Sequence, residues 1–458
     1  MFFVKGLSMG ARIIIIGGGP GGYAAAIRAA QLGAEVIIAE KAGLGGTCLN
    51  AGCVPTKALL HTAKFYRTAA ANAVPGVRIA GAELDWPAAQ RQKQGIIDRL
   101  ADGIDMLLRR NGVTVYNETA VPLSSQKVRI GDKVLSSDAI ILALGSVNAP
   151  FQFPGVGHKG VIDSAAALSL ENVPESIVIV GGGVIGVEFA TLFSFLGAKT
   201  TIIEIAPRLL PSIDAEIADY MKSSLELDGI TVHTGARLKS AEPAPTGLSA
   251  SFETNGLRHG VTAEKLLLAI GRRPNTTGLG LEKIGVKMTN GAIDTDSCFR
   301  TNIPGLYAVG DCNGKTMLAH AAMAQGETAA EHILGATPRM NNNIIPSCVY
   351  SAPEIASVGI TEEQAKARGI KYSIGRFDLS GNSKAIIEGS GGFMKIITDG
   401  KIGEVLGVHI VGPNATELIA ETALCMSMEG TVEDIIGTIH AHPTVGESVR
   451  EAAMEVKV

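Results

Sequence analysis

An α/β architecture, two parallel-sheet units of one kind followed by an α+β domain, is predicted by three features of this 458-residue sequence. Near the N-terminus an apolar strand, a glycine-rich turn, a helical stretch and a second strand follow one another. The same succession recurs in the middle of the chain. Beyond Asn341 the pattern changes to sheet-like apolar segments, then to NATELIAETALCMSM, a weakly charged helical stretch suited to burial at an interface. A chain of this length exceeds one ordinary core, so two to four domains are expected.

The first copy reads ARIIIIGGGPGGYAAAIRAAQLGAEVIIAEK. Its strand, Ile13 to Ile16, runs into Gly17, Gly19 and Gly22; a helix continues to Leu32, and a second strand ends at Glu40. The second copy, SIVIVGGGVIGVEFATLFSFLGAKTTIIEI, places Ile177 to Val180, Gly181, Gly183, Gly186, Gly197 and Glu204 at the same offsets. In such a unit the first glycine permits the tight turn, the second lets backbone approach a pyrophosphate, and the third lets helix pack on strand. The helix start presents free N–H groups to the anion, and the terminal acid accepts from a ribose hydroxyl. One glycine pattern alone is weak. Two complete strand–turn–helix–strand–acid units predict two Rossmann-like dinucleotide-binding domains. Glu204 favours NAD, because a carboxylate repels the 2′-phosphate of NADP, whereas Arg208, four residues on, is of the opposite kind.

Composition narrows the function. Hydrophobic residues at 46% and charged residues at 18% describe a globular chain. A net charge of −4 without a basic block argues against a nucleic-acid or membrane surface, and 4% aromatics against base-stacking platforms. No apolar run matches a membrane span, and the apolar part of MFFVKGLSMGAR is too short for a signal peptide, so a cytoplasmic location is expected. Six cysteines make no disulfide scaffold.

Two of the six stand close together. Cys48 and Cys53 lie in KAGLGGTCLNAGCVPTKALLHTAK, directly after Glu40. Five helical positions rise roughly 7.5 Å, whereas bridged Cα atoms lie within about 7 Å. A bridge therefore needs a distorted turn, which Gly45, Gly46 and Gly52 allow, and Pro55 suits an early position of the helix that follows. A thiol at a helix start has its thiolate stabilised. Two inert buried cysteines are the ordinary alternative; the glycine density beside a nucleotide turn favours a redox pair.

The segment GGTCLNAGCVPTKALL resembles the redox motif of the class I pyridine nucleotide–disulfide oxidoreductases, and TNIPGLYAVGDC resembles that family's second flavin motif. ILALGS and LLLAIGRRPN resemble the strand–turns that close its flavin and NAD domains, and the resemblance runs from Ile13 to Val458. It implies FAD and NAD as cofactors, Cys48 as the thiol that attacks substrate, Cys53 as the thiol nearest the flavin, and Lys57 beside the flavin ring with Glu188 as its acidic partner near the nicotinamide. Around FAD it implies Gly17, Gly19, Gly22, Glu40, Gly46, Thr47, Ala120, Leu144, Gly145, Ser146, Asp311 on the ribitol, and Met317, Leu318, Ala319 and His320 at the pyrimidine end. Around NAD it implies Gly181, Gly183, Gly186, Glu204, Leu238 and Gly271. The implied domains are 1–148 with 271–337 for FAD, 149–270 for NAD, and 338–458 for dimerisation.

Substrate is discriminated near the C-terminus, in IHAHPTVGESVREA. Thiol–disulfide exchange needs a base for the attacking thiol and an acid for the leaving sulfur, and a histidine oriented by a carboxylate serves both. His442 and Glu447 are the candidates. HAHPT resembles the dihydrolipoamide-oxidising branch of the family, in which this histidine comes from the other subunit. That implies a homodimer, a cis bond before Pro443, and a lipoyl-bearing acyltransferase or glycine cleavage carrier protein as partner. NADPH-linked disulfide reductases fit Glu204 poorly, and mercuric reductases carry a C-terminal cysteine pair that EAAMEVKV lacks. A docking subunit without catalysis would not need Cys48, Cys53, His442 and Glu447 intact, and a flavin oxidase or quinone reductase would consume NADH without a disulfide. Departures from the family pattern are Ala51, Ala120, Leu144 and Gly446, the last expected to loosen the turn that carries Glu447. Cys312, beside Asp311, is expected to be buried and inert.

Overall fold

The computed structural model describes residues 10–71, 74, 76–337 and 340–457; the N-terminal segment through Met9 and the expected boundary at 338 lie outside them. The chain divides into two compact units, one of Met1–Leu59, Pro87–Pro150 and Gly271–Met340, the other of Leu60–Trp86, Phe151–Ile270 and Asn341–Val458.

Four consecutive isoleucines form the heart of the first unit. A strand covered on both faces can be apolar throughout, and alternation splits the run: Ile13 and Ile15 enter one core cluster, Ile14 and Ile16 the opposite one. The parallel sheet has the order Leu306–Ala308, Ala139–Leu142, Arg12–Ile16, Glu35–Ala39, Thr114–Tyr116. The helix Pro20–Gln31 leaves the central strand through the glycine turn. It packs on Ala319–Ile333, and both helices are rich in alanine because their backbones nearly touch: a Cβ on Gly326 would overlap the carbonyl of Gly21. Arg28 reaches Glu331 across this contact at 2.6 Å.

The second unit repeats the plan, with the parallel order Thr231–His233, Lys199–Ile203, Ser176–Val180, Lys265–Leu268, Val161–Asp163. Its helix Val184–Phe195 is filled with large residues, and Phe189 and Phe193 stack with ring centroids 6.0 Å apart. The C-terminal part forms an antiparallel five-stranded sheet, in the order Ser347–Val349, Glu354–Gly359, Val405–Gly412, Phe393–Asp399, Tyr372–Asp378. Helices Ala415–Ser427, Val432–Gly437 and Glu447–Met454 contribute to its core. This is the α/β plus α+β class expected.

The middle and C-terminal spans, expected as separate domains, cluster as one unit. Lys395 is buried in its strand and reaches Asp214 at 3.1 Å and Glu362 at 2.7 Å. A buried ammonium is tolerated only with such partners. Leu60–Trp86, expected with the flavin span, clusters with this unit too. Arg67 meets Asp228 at 2.5 Å and lies 4.1 Å over the ring of Phe195, and the Trp86 indole donates to Leu170 O at 2.9 Å. Among the described residues no helix is long and apolar enough to cross a membrane.

Candidate active site and its two nucleotide turns

Gly17 sits at φ +107°, where a Cβ would overlap Ala143 O, and a Cβ on Gly22 would overlap Gly17 O. Gly19 differs: nothing comes closer to its Cβ position than Gly46 Cα at 3.8 Å. It precedes a helix without a side-chain cap, whose first residue is Pro20. This is an open backbone cradle at the positive end of a helix, the geometry a pyrophosphate requires. Glu40 is the acid expected at a ribose. It accepts from Gly18 N at 2.7 Å and Ala42 N at 2.8 Å, tying the second strand to the glycine loop. Each carboxylate oxygen keeps a lone pair for a further donor.

The second turn repeats this closely. Gly181 has φ +109°, Gly186 packs on Gly181 O, and the Cβ direction of Gly183 is open. The helix after Gly183 also lacks a side-chain cap. Glu204 is buried and accepts from Gly182 N, and from Ala206 N at 2.6 Å. Glu188, in the first turns of the helix, is buried and accepts from Tyr350 N at 3.0 Å. Leu238 is buried in the strand Ala236–Ala244. Gly271 (φ +106°) opens the last segment of the first unit, its carbonyl accepting from Ala149 N at 3.0 Å.

The cysteine segment breaks its helix as the spacing requires. Gly45 (φ +91°) and Gly46 (φ +57°) start Gly46–Ala51, which carries Thr47 and Cys48. A Cβ on Gly46 would lie 2.7 Å from Gly19 Cα, so the segment is seated directly on the first nucleotide turn. Gly52 ends this helix, and Cys53–Ala70 starts anew, bringing Cys53 back to Cys48. The two side chains are joined by a hydrogen bond. That bond, then burial, pushes the Cys48 thiol far up, and Lys57 acts in the opposite direction.

Asp311 lies in the single turn Gly310–Asn313 after the strand Leu306–Ala308. It accepts from Ser146 Oγ at 2.5 Å, and that hydroxyl accepts from Arg272 Nε at 2.7 Å. Gln325 Oε1 accepts from Gly310 N and Asn313 Nδ2, both at 2.8 Å, and fixes the turn from beneath. Arg272 and Gln325 escaped the sequence reading, although Arg272 stands in the LLLAIGRRPN segment that carried the resemblance. Ala120 is buried at the start of its strand; Leu144 O accepts from Asn275, and Gly145 has φ +68° with open space around it. Met317 and His320 are exposed, and Leu318 precedes the uncapped start of the helix at Ala319. Cys312 is fully buried, its thiol pushed up to about 12 by burial.

His442 and Glu447 form the expected pair, Nδ1 to Oε1 at 2.8 Å, with a cis bond between His442 and Pro443. Thr444 N donates to the other Glu447 oxygen at 2.8 Å, and this, with the bond from His442, holds the carboxyl below its ordinary range. The imidazole is 73% exposed, so Nε2 is free to meet a substrate. Gly446 has an ordinary right-handed conformation, and a Cβ there would meet neighbours at 3.6 Å, so the turn does not require glycine. A second pair, His440 with Glu421 at 2.9 Å, went unread although HAHPT displays both histidines.

Comparison with known proteins bears on the whole chain. Residues 11–326 match the family model described as pyridine nucleotide-disulphide oxidoreductase, and residues 345–453 match the dimerisation domain of that family. A dihydrolipoyl dehydrogenase of Bacillus subtilis is 41% identical over 461 residues, covering 96% of this chain and 97% of that protein. One from Geobacillus stearothermophilus is 40% identical over 447 residues, covering 96% and 95%. Among solved structures, LpdA from Mycobacterium tuberculosis superposes with a TM-score of 0.88 at 27% identity, covering 97% of this chain and 99% of its own. The HOCl-induced flavoprotein disulfide reductase RclA from Escherichia coli gives 0.86 at 26%, covering 97% and 100%. The chain belongs to the pyridine nucleotide-disulphide oxidoreductase family.

Proposed function

We propose that this protein is a dihydrolipoyl dehydrogenase, which oxidises protein-bound dihydrolipoamide to lipoamide and reduces NAD⁺ to NADH. The observation that carries this reading is the His442–Glu447 pair, bonded at 2.8 Å with the histidine exposed, in a chain that also holds Cys48 against Cys53. The substrate and partner assignments lean on the dihydrolipoyl dehydrogenases that resemble the chain over nearly its full length.

Two cradles support two cofactors. The open Cβ directions at Gly19 and Gly183, each before an uncapped helix, fit the pyrophosphates of FAD and NAD respectively. FAD, when bound, supplies a two-electron acceptor between a dithiol and a nicotinamide. Gly17, Gly19, Gly22, Gly46 and Asp311 hold it, with Glu40 closing the loop, and residues up to 148 with 271–337 form its domain. Gly181, Gly183, Gly186 and Glu204 hold NAD within 149–270.

The chain's own residues account for the sulfur chemistry. With Cys48 and Cys53 oxidised to a disulfide, one substrate thiolate attacks Cys48 Sγ, and Cys53 leaves as a thiolate. The second substrate thiol displaces Cys48, closing the lipoyl disulfide and leaving Cys48 and Cys53 reduced. His442 takes the proton of the first attacking thiol and releases it to solvent, then takes that of the second and passes it to Cys48 as that sulfur leaves; Glu447 holds its ring in the tautomer that leaves Nε2 as base. Cys53 is the thiolate of the reduced pair and the sulfur that faces the flavin, as the resemblance to the family implies, and its bond to Cys48 pushes the Cys48 thiol up. Residues 338–458 pair two copies, so that His442 of one copy serves the cysteines of the other. The lipoyl group arrives on an acyltransferase or glycine cleavage carrier protein, in the cytoplasm.

The test is NADH formation from dihydrolipoamide and NAD⁺, with NADP⁺ and Cys48→Ser in parallel. Fast NAD-linked turnover, reduced at least about a thousandfold in the variant, is expected. A yellow, flavin-loaded protein without turnover would overturn the substrate assignment.

A further inference from the structure

Arg208 stands four residues after Glu204, in a loop pinned at both ends to one glycine: Gly182 N donates to Glu204, and Leu210 N donates to Gly182 O at 2.9 Å. The loop therefore borders the ribose end of the second nucleotide turn. An arginine at that place is the group that receives a 2′-phosphate in NADP-binding proteins. Here its guanidinium is occupied. Nη1 and Nη2 donate to Glu363 Oε1 and Oε2 at 2.5 and 2.8 Å, a bidentate ion pair spanning 155 residues. Glu363 lies in the first turn of the helix Glu362–Ala367, begun by a capping box of Thr361 and Gln364. Its backbone is thus fixed independently of Arg208.

We infer that Glu363 is a specificity-determining residue: it holds Arg208 away from the ribose 2′ position, and so keeps the second turn selective for NAD. The inference rests on the reading of that turn as the NAD site. Glu204 excludes a 2′-phosphate by repulsion. Glu363 acts differently, by engaging a nearby cation that would attract it. With Nη1 and Nη2 both donating to one carboxylate, the end-on edge of the fork is taken, and the carboxylate offsets the charge a phosphate would seek.

The experiment compares kcat/KM for NAD⁺ and NADP⁺ in the parent, in Glu363→Gln, and in Glu363→Gln combined with Arg208→Gln. The glutamine keeps shape and capping position while removing the charge. The single variant should raise the NADP⁺/NAD⁺ ratio about tenfold, with NAD⁺ turnover within twofold of the parent. The double variant should lose that gain. Inhibition by adenosine 2′,5′-bisphosphate, competing with the dinucleotide, should tighten in the single variant only, whereas 5′-AMP inhibition should not move. An unchanged ratio overturns the proposal, as does a gain that survives loss of Arg208. If Glu363→Gln does not fold, Glu363→Asp, which shortens the carboxylate's reach, must shift the ratio in the same direction or the proposal falls. A parent inactive with NAD⁺ but active with NADP⁺ would instead refute the NAD reading itself, before any variant is made.

Discussion

The two nucleotide turns share a code but differ in what surrounds them. Both have a glycine at φ near +108°, a third glycine packed on the first, and an acid that ties its own loop to the turn. Around the first, the helix is small-sided because a second helix presses on it at Gly326. In the second, the helix is large-sided, and Phe189 and Phe193 stack on one another. After the first acid the chain runs into the cysteine segment, with Gly46 laid on Gly19; after the second it runs into the Arg208 loop. The glycine pattern thus shapes the same open backbone turn twice, while the residues after the acid give each turn different surroundings.

Substitution at the third glycine should separate the copies most sharply. Gly22→Ala and Gly186→Ala each force a methyl onto a backbone carbonyl, an overpacking cost of about 1–3 kcal/mol. The first should yield protein depleted of flavin, read from its visible absorbance. The second should retain the flavin and lose NAD⁺ affinity, read as a raised KM. Equal flavin loss in both would break the comparison. The acids should differ next. Glu204→Gln removes a buried charged acceptor from two amides, worth about 1.5–3 kcal/mol per bond, and should raise the KM for NAD⁺ about tenfold. Glu40 is more accessible, and Glu40→Gln should weaken flavin retention less, measured by flavin release on dilution.

Acid should act on the second unit through its C-terminal cluster. Hydrogen bonds from Lys366 and Lys395 hold Glu362 at about 2, against an ordinary 4.5. A depressed carboxyl contributes stability that is complete above pH 4.5 and lost as pH falls toward 2. Thermal melts of the parent should therefore decline through this window, and those of Glu362→Gln should decline less. Equal slopes would remove Glu362 from the account. The smallest effect belongs to Gly446→Ser, expected to change stability by less than about 0.5 kcal/mol and to leave dihydrolipoamide turnover unaltered.

What could be read from the sequence was local. Strand, turn, helix and acid lie within one stretch of chain in each copy, and so do Cys48 with Cys53 and His442 with Glu447. What escaped was held by distant partners. Lys395, in the apolar run FMKIITD, gives no sign that Asp214 will bury it. Arg208 read as an ambiguous cation until Glu363 was seen on it. Asp311 and Ser146 sit 165 residues apart, and no spacing rule joins them. Even the acids were only half legible: ribose recognition was expected, but their bonds to Gly18 and Gly182 depend on a loop closure that sequence does not display.

The discontinuity of the first unit has a consequence for how the protein is made. Its strand Ala139–Leu142 has Leu306–Ala308 as neighbour, a partner synthesised about 160 residues later. At about 5–20 residues per second, translation leaves that edge open for roughly ten to thirty seconds. Throughout this interval the nascent chain carries an apolar strand with one open edge, the kind that recruits other chains. The second unit's parallel sheet draws all its strands from one continuous stretch, Val161 to Leu268, and escapes this delay. The ribosome thus finishes the second nucleotide sheet before the first, and a holdase that shields the Ala139–Leu142 edge would raise the yield of the one without altering the other.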